Sequence, residues 1–594
     1  MVASFHKQPV ALQNNTVRTV LSKVNAFEAS SCLFESSISF NFLRNYTIEN
    51  IESYLKMYLY EAGIRPNILF GGYDTFRQDL LDDSSGLCHQ KPEVMVLSLI
   101  LEQFDPQVAL LSWDADGAIK EMESLYSLAA SKGSALIVVN TFIPPFTSEL
   151  GIAHSVNISD KQYEVGRLNQ FIRNYVRNHA EQFFLADWDR YVRILGEKES
   201  IDYRFWYMYK SPFKKAFLEL YASDLTRVAA ALKGKAKKCL ILDCDNTLWG
   251  GVVGEDGMSG IHLDRDVYPG KAFYDFQRTV LHLYERGVLI ALCSKNNEDD
   301  VWEVFDKHPY SLLKREHISA WCINWGNKAD GIRSIAHELN LGMDSLVVVD
   351  DSPAEREMIR TMAPDVMVIN VPMKLYEYPQ ILIRSGLFDT LYISGEDKKR
   401  TQLYRNEKRR KNELHNFNDI DAYLESLDMV ACVKELVPEN IGRIAQLTQK
   451  TNQFNLTTKR YSELQIKSML EQPSVSVYAL SVRDKYGDLG LTGVCIVNYA
   501  DGQAVVDTFL MSCRILGRKL EYVFVDRCMQ LSEQKWHIRR WIASYIPSRK
   551  NQQTADFWKS IGFEEIASSS GAKQYVMDAR LRKKSEIQFI KMGV

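Results

Sequence analysis

Residues 241–257 read Ile-Leu-Asp-Cys-Asp-Asn-Thr-Leu-Trp-Gly-Gly-Val-Val-Gly-Glu-Asp-Gly, and this stretch decides the fold of the middle of the chain. Asp243 and Asp245 stand two positions apart at the end of the apolar run 239–242, which the pattern predicts to be a buried strand. Because strand side chains alternate, both carboxylates point to one side and Cys244 to the other. One carboxylate can attack phosphorus to give an aspartyl-phosphate, and the second can transfer protons.

Further polar groups follow at strand ends or in the next loop. Ser294 ends the predicted strand 288–293 and can hydrogen-bond phosphoryl oxygens. Lys328, in Trp-Gly-Asn-Lys at 325–328, can neutralise charge on the phosphorane. Asp350 and Asp351 end a further apolar strand and can complete a Mg2+ site, because Mg2+ prefers oxygen ligands. The ordered set predicts phosphoryl transfer.

This set of elements resembles the HAD superfamily. The resemblance implies that Asp243 is the nucleophile and Asp245 the acid/base residue. It also implies that Asp243, Asp245 and Asp350 hold Mg2+, with Asp351 as an additional candidate ligand. The resemblance is specific because four elements occur in the expected order.

The spacing of these residues predicts an uncapped active site. Asp243 and Ser294 are 51 positions apart, enough for a flap at 250–260, a helix and a strand. Ser294 and Lys328 are 34 positions apart, enough for a helix and a strand. Neither interval holds a large cap domain, so the site can admit a macromolecule or use another domain as its lid.

Residues 1–230 alternate apolar runs with amphipathic stretches, which predicts a parallel α/β sheet. Predicted strands are 67–70, 94–99, 108–111, 135–139 and 183–186, and predicted helices are 48–62 and 163–180. The pattern is compatible with an SGNH-hydrolase-like fold. A working esterase needs a nucleophilic Ser and a late Asp-x-x-His, yet Ser36, Ser37 and Ser39 lack a GDS motif, and no His follows Asp187, Asp189 or Asp202 by three positions. We therefore predict a non-hydrolytic domain.

The rest of the chain is predicted to contain three further segments. Residues 236–394 form the HAD-like domain, with a parallel sheet of strands 239–242, 289–292, 320–323, 345–349 and 367–371. Residues 395–422 form a charged helical linker, either a solvated connection or a docking surface for an acidic partner. Residues 423–594 form a third domain. The predicted fold class is multidomain α/β with a C-terminal α+β domain.

The C-terminal domain resembles the GNAT acyltransferases. Arg514-x-x-Gly517 matches the start of that family's R-x-x-G-x-G/A loop, before a predicted helix at 520–531. Backbone N–H groups at such a helix start suit a pyrophosphate. Asn551 begins a segment similar to the late helix and turn of the family, and Arg514, Gly517 and Asn551 are the predicted cofactor-binding residues. Lys519 stands where Gly or Ala is expected, which favours a carrier-borne phosphopantetheine over ordinary acyl-CoA, and a purely structural module is the alternative.

Nearly the whole chain resembles the FkbH-like proteins of polyketide pathways. The resemblance rests on residues 238–243, 248–254, 293–298, 452–458 and 512–514. It implies removal of phosphate from D-1,3-bisphosphoglycerate and loading of the glyceryl unit onto the phosphopantetheine thiol of an acyl carrier protein. An acyl phosphate is an activated donor, so a thiol can capture the acyl group without ATP.

A protein cysteine is a hypothetical first acceptor of the glyceryl group. Strand parity turns Cys244 and Cys293 away from the site, where they are interpreted as core residues. Cys513 lies at the mouth of the predicted phosphopantetheine groove beside Arg514, whose charge would lower the pKa of the thiol. Cys513 is therefore the candidate acyl-carrying catalytic residue.

Composition limits the alternatives. The net charge of −3 gives no indication of nucleic-acid binding, no apolar run is long enough for a bilayer, and no signal peptide is evident. The 10 cysteines form no CxxC pair, as is typical of a reduced cytoplasmic protein. Two other functions stay open: a plain HAD phosphatase of a metabolite or phosphoprotein with scaffolding side domains, and a carrier-binding scaffold with weak catalysis.

Overall fold

The computed structural model describes residues 17–29, 34, 36–82, 92–133, 135–156, 160–391, 419–548, 550–569, 571–582 and 587–593, with the single residues 406, 410, 413, 417 and 584. The chain divides into two compact units, Leu12–Lys233 and Gly234–Val594. Most of the predicted helical linker 395–422 lies outside the described residues, as does the start of the predicted N-terminal domain.

The first unit contains a parallel sheet of described strands in the order β2-β1-β3-β4-β5. Its strands are β1 Ser36–Arg44, β2 Ile64–Tyr73, β3 Val94–Ser98, β4 Leu136–Asn140 and β5 Phe183–Ala186. Helices separate the strands along the chain, as parallel pairing requires. They are α1 Val17–Ala29, α2 Ile51–Glu61, α3 Phe76–Leu81, α4 Leu101–Phe104, α5 Asp116–Ser131, α6 Lys161–Asn178, α7 Trp188–Leu195, α8 Glu197–Ser200, α9 Tyr203–Tyr209 and α10 Lys215–Leu232.

The predictions for the first unit contain one wrong strand and omit another. The predicted strand 108–111 is wrong: Pro106–Ala109 is a 3-10 helix that Asp105 caps by accepting a hydrogen bond from Gln107 N, and Leu110 and Leu111 are exposed. The long strand β1 was not predicted. Its first residues alternate Ser with apolar side chains, whereas its last five residues are all buried.

The first part of the second unit contains another parallel sheet, ordered β10-β9-β6-β7-β8. Its strands are β6 Cys239–Leu242, β7 Leu289–Ser294, β8 Ile318–Ile323, β9 Leu346–Val349 and β10 Met367–Val368. The connecting helices are α11 Val253–Gly260, α12 Gly270–Glu285, α13 Glu298–Lys307, α14 Lys328–Glu338, α15 Pro353–Met362 and α16 Tyr378–Ser385. Strands β6, β7 and β9 are buried along their whole length, which explains their uninterrupted apolar sequences.

The second part of the second unit contains a mixed sheet. Its described strands follow the order β17-β18-β16-β15-β14-β13-β11-β19, and β12 pairs with β15. Its strands are β11 Val430–Glu435, β12 Phe454–Asn455, β13 Val475–Asp484, β14 Gly487–Ala500, β15 Gln503–Met511, β16 Arg540–Tyr545, β17 Glu564–Ser569, β18 Ala572–Asp578 and β19 Lys591–Met592. The helices are α17 Ile420–Ser426, α18 Ile441–Lys450, α19 Glu463–Leu470, α20 Leu520–Lys535 and α21 Phe557–Ser560.

One described residue of the predicted linker is anchored in the C-terminal domain. The Arg410 guanidinium donates two hydrogen bonds to the Asp484 carboxylate, each 2.7 Å long, and both side chains are fully buried. Arg518 approaches the same carboxylate at 3.4 Å. Two opposite charges buried in bidentate contact form a specific anchor, because either one alone would be strongly destabilising.

The predicted fold class is confirmed: the chain is multidomain α/β, with two parallel sheets and a mixed C-terminal sheet. Among the described residues, none of the helices combines the length and the apolar character needed to cross a bilayer.

Candidate active site

Six of the predicted site residues lie at one edge of the second parallel sheet. Strand β6 is central, with β9 and β7 as its neighbours, so their carboxyl ends are adjacent. Asp243 and Asp245 follow β6, Ser294 ends β7, Asp350 and Asp351 follow β9, and Lys328 begins α14. The edge of the sheet where short apolar strands end thus brings together groups that are far apart in sequence.

Three carboxylates form the centre of the site. One oxygen each of Asp243, Asp350 and Asp351 lies within 4.8 Å of the others. The Lys328 Nζ lies 3.1 Å from Asp243 Oδ1 and 2.5 Å from Asp350 Oδ2. Asp243, Asp350 and Lys328 are all more than nine-tenths buried, so water screens these charges poorly.

Burial dominates the electrostatics of the site. It raises the pKa of Asp243, as does the nearby charge of Asp350, while the Lys328 ammonium opposes the shift. Burial and Asp350 likewise raise the pKa of Asp351. For Lys328, burial acts to lower the pKa, but the Asp243 and Asp350 carboxylates outweigh it and keep the ammonium charged. The single Lys328 ammonium therefore does not fully compensate the negative charge of the ionised carboxylates.

The donor set fits Mg2+. Three carboxylates against one ammonium leave an excess of two negative charges, which a divalent cation would neutralise. Clustered carboxylate oxygens are the ligands that Mg2+ prefers, and it usually retains several waters beside them. Asp243, Asp350 and Asp351 would hold the ion. Asp350 is fixed for this role, since its Oδ1 accepts a hydrogen bond from Ser352 N at 2.9 Å.

The Asp245 carboxylate is not one of these three, and its place among the metal ligands stays a prediction. Its Oδ1 accepts hydrogen bonds from Trp249 Nε1 at 2.8 Å and from Val253 N at 3.1 Å. Its Oδ2 accepts one from Asn296 Nδ2 at 2.9 Å. These three donors fix the orientation of the Asp245 carboxylate.

Asn296 and Trp249 are site residues that the sequence did not reveal. Asn296 Nδ2 also approaches Ser294 Oγ, at 3.2 Å, so that one amide contacts the side chains of both Asp245 and Ser294. The sequence did hold features that could have identified them as site residues. Asn296 lies in the polar run that follows β7, and Trp249 lies four residues after Asp245.

The active-site edge carries a flap but no cap. Gly250 and His262 form an antiparallel bridge that closes the flap at its base, and α11 lies between them with a break at Gly257. Within the continuously described stretch 236–391, the flap, α12 and short loops account for all residues between β6 and β7. The space above the carboxylates is therefore not enclosed by an inserted domain from this stretch.

The two cysteines beside the site are core residues, as strand parity indicates. Cys244 and Cys293 are buried, and Cys293 Sγ faces the Lys328 carbonyl oxygen at 3.6 Å. Burial raises the pKa of Cys293 to about 12 and that of Cys244 well above the ordinary value. Neither is a nucleophile in this environment.

Cys513 lies away from the carboxylates. Its carbonyl oxygen accepts a hydrogen bond from Asn340 Nδ2 at 3.0 Å, and Asn340 precedes β9, whereas Asp350 follows it. Cys513 therefore lies near the amino end of the sheet and Asp243 at the carboxyl end. The structure does not bring together the two predicted catalytic centres.

The predicted phosphopantetheine groove is occupied by the chain itself. Strands β15 and β16 pair in parallel only from Gln503 to Val506, and then part. In the gap, β12 pairs with Leu510 and Met511, which also pair with β14 on their other side. Leu456 then bridges the gap, donating to the Phe509 carbonyl oxygen and accepting from Ile546 N. Both edges of this part of β15 are thus paired, and an extended amide ligand has no free edge there.

The cofactor roles predicted for Arg514, Gly517 and Asn551 stay predictions. In the structure Asn551 is completely buried and donates to the carbonyl oxygens of Asn455 and Ile546, so it fixes the backbone there. Gly517 has a φ of 76° and Lys519 a φ of 60°. A left-handed conformation suits glycine better than lysine, so Lys519 departs from the R-x-x-G-x-G/A pattern in sequence at a position where the backbone favours glycine. Arg514 Nε contacts Ser512 Oγ at 3.3 Å.

The first unit shows no serine triad among its described residues. Ser36, Ser37 and Ser39 lie in the amino-terminal half of β1, away from the carboxyl edge where a catalytic serine would be expected. Of the candidate acids, Asp187 pairs with Arg173 and accepts from Thr141, and Asp202 pairs with Arg204. That the domain is non-hydrolytic stays a prediction.

Comparison with known proteins supports the reading of the carboxylate site. Residues 238–364 match the family described as NLI interacting factor-like phosphatase. A similar solved structure is the N-terminal part of BF1531 from Bacteroides fragilis, which contains a phosphatase domain and is complexed with Mg. The two chains are 27% identical with a TM-score of 0.58, over 62% of this chain and 99% of the other. Residues 238–364 are therefore a HAD-like phosphatase domain.

Other solved structures are similar to about a quarter of the chain. The Escherichia coli ribosomal-protein-S18-alanine N-acetyltransferase is 11% identical with a TM-score of 0.20, covering 26% of this chain and 97% of its own. A GNAT-family acetyltransferase of Streptococcus pneumoniae is 11% identical with a TM-score of 0.19, covering 25% and 96%. No curated protein matches the chain.

Proposed function

We propose that the chain is a Mg2+-dependent phosphatase that forms an aspartyl-phosphate on Asp243. The observation that carries the proposal is the convergence of the Asp243, Asp350 and Asp351 carboxylates around Lys328. The similarity to a phosphatase domain complexed with Mg supports the choice of both reaction and metal.

In the first step Asp243 attacks phosphorus. A bond forms between an Asp243 carboxylate oxygen and phosphorus, and the bond from phosphorus to the leaving oxygen breaks. Asp245 gives its proton to that oxygen. Ser294 Oγ and Lys328 Nζ bind the phosphoryl oxygens, where negative charge accumulates in the transition state.

In the second step water replaces Asp243 on phosphorus. Asp245, now a carboxylate, accepts a proton from the attacking water, and the Asp243–phosphorus bond breaks to release phosphate and restore the enzyme. When bound, Mg2+ supplies positive charge that offsets the carboxylates and orients the phosphoryl group. The absence of a cap from the stretch 236–391 favours a substrate that is large or attached to a protein.

A second candidate function is glyceryl transfer. The resemblance of nearly the whole chain to FkbH-like proteins supports it, together with the uncapped site. In this reaction a thiol attacks the acyl carbon of 1,3-bisphosphoglycerate, the bond from that carbon to the phosphate oxygen breaks, and phosphate leaves. The remaining 3-phosphate is hydrolysed at Asp243, and an acyl carrier protein takes the glyceryl group. Mass spectrometry of holo carrier proteins incubated with the full chain and substrate tests this function through a glyceryl mass gain.

Phosphate release from a panel of esters and acyl phosphates tests the main proposal. We expect turnover by the full chain with Mg2+ and none after chelation. Asp243→Asn should lose at least about 10³-fold in kcat/KM, since no other residue replaces a nucleophile. Asp306→Asn is the matched control, because Asp306 is exposed and pairs with Arg315 outside the site. Equal activity of Asp243→Asn and the control would contradict the proposal.

A further inference from the structure

Asp245 is held from two sides, and only one of them belongs to the flap. Trp249 Nε1, just before the flap, and Val253 N, within the flap, both donate to Oδ1. Asn296, in the loop between β7 and α13, donates to Oδ2 at 2.9 Å. Movement of the flap would remove the Val253 contact, whereas Trp249 is fully buried in the core and Asn296 belongs to a loop that follows the central strand β7.

Asn296 is built into the site as a rigid element. It is 4% exposed, although its neighbour Asn297 is exposed and contacts Asp300 and Trp325 instead. Its Nδ2 contacts the Ser294 hydroxyl at 3.2 Å in addition to Asp245. The residue thus ties the group that would transfer the proton to the group that would bind the phosphoryl oxygens.

We infer that Asn296 is a positioning residue that orients Asp245 toward the leaving oxygen and thereby decides which phosphate esters the site cleaves. The inference rests on the proposed phosphatase function. An alkyl leaving group departs as a strongly basic alkoxide and needs a well-placed proton donor, whereas a nitrophenolate departs without one. Loss of Asn296 should therefore affect alkyl esters selectively, because general acid catalysis depends on hydrogen-bond geometry.

The test compares kcat/KM for 3-phosphoglycerate and p-nitrophenyl phosphate with Mg2+ and the full chain. This parameter reports on the transfer of phosphorus to Asp243, so slow hydrolysis of the aspartyl-phosphate does not mask the leaving-group effect. For Asn296→Leu, which keeps the size and removes the donor, we expect a loss of about 10- to 100-fold on the alkyl ester and under about threefold on the aryl ester. Asn296→Gln, which retains an amide donor, should recover part of the alkyl activity.

Asn297→Leu is the matched control and should leave kcat/KM unchanged for both esters. An equal loss on both esters in Asn296→Leu would assign Asn296 a structural role only, and no loss on either would remove it from the site, so both results overturn the inference. If the unmodified chain releases phosphate from neither ester nor from the wider panel, the proposed function itself fails and the inference fails with it. A circular-dichroism melt of each variant separates these outcomes from misfolding.

Discussion

Asn340 donates a hydrogen bond to the carbonyl oxygen of Cys513 at 3.0 Å, and this contact places the candidate thiol at the amino end of the sheet whose carboxyl end carries Asp243. The intervening strand β9 has four residues, which span about 13 Å. An acyl group on Cys513 and a phosphate at Asp243 would therefore be handled at separate places on the domain.

The first prediction concerns this separation. Cys513→Ala should hydrolyse small phosphate esters with kcat/KM within about twofold of the unmodified chain, because distant sites act independently. Steady-state phosphate release measures it. A loss above about tenfold, equivalent to roughly 1.4 kcal/mol, would mean that Cys513 takes part in the phosphatase reaction. Whether Cys513 carries an acyl group is a separate question that adduct mass spectrometry answers.

The second prediction concerns the buried ammonium. Without Mg2+, Lys328→Met should lower the free energy of unfolding by about 3–5 kcal/mol, because Asp243 and Asp350 lose their buried counter-charge. Mg2+ should restore part of the loss by binding the folded state. Urea unfolding with and without Mg2+ measures both effects. Lys307→Met, at an exposed pair with Glu303, is the control, and a similar small effect in both variants would contradict the assigned electrostatics.

The third prediction concerns the C-terminal domain. We expect no binding of coenzyme A in isothermal titration calorimetry, because β12 and Leu456 occupy the gap between β15 and β16. Saturable binding of coenzyme A with a micromolar dissociation constant would contradict this prediction, because it would require β12 and Leu456 to move out of the gap between β15 and β16.

The fourth prediction concerns the contact between Asp344 and Lys550, whose charged atoms lie 2.5 Å apart. Burial acts to raise the pKa of Asp344, but the Lys550 ammonium outweighs it and holds the pKa below the ordinary value of 3.8. A depressed carboxyl pKa stabilises the fold above the unfolded-state value, and the stabilisation disappears as pH falls through the folded-state value.

Asp344→Asn should therefore cost about 0.5–1 kcal/mol at pH 7, since the pair is partly exposed, and the difference should shrink as pH falls below 3.8 and through the lowered folded-state pKa. Unfolding free energies of the two proteins across this range provide the measurement. If the difference in unfolding free energy between the two proteins grew on acidification, the pKa of Asp344 would be raised in the folded state, which contradicts the predicted direction.

The phosphatase residues were predictable because a parallel sheet imposes their position. Each of Asp243, Ser294 and Asp350 ends or follows a short apolar run, and strands of one parallel sheet end at one edge. Sequence alone did not predict the hydrogen bonds that hold the Asp245 carboxylate, since they depend on where Trp249, Val253 and Asn296 lie in three dimensions.

Non-local pairing explains the other differences. Nothing in the two-residue strand β12 indicates that it pairs with β15, which lies more than 50 positions later. The apolar residues at 108–111 resemble a strand, but Pro106 and the Asp105 cap favour a 3-10 helix at the surface. The assigned catalytic roles and the domain boundaries stay predictions.

The most direct measurement of the central claim is chemical trapping of the intermediate on Asp243. The full chain is mixed with Mg2+ and a phosphate substrate, quenched, and reduced with borohydride, which converts an aspartyl-phosphate to homoserine. Peptide mass spectrometry should find homoserine at position 243, only with substrate and not in Asp243→Asn. Active turnover with unmodified Asp243, or with homoserine at another aspartate, would contradict the account.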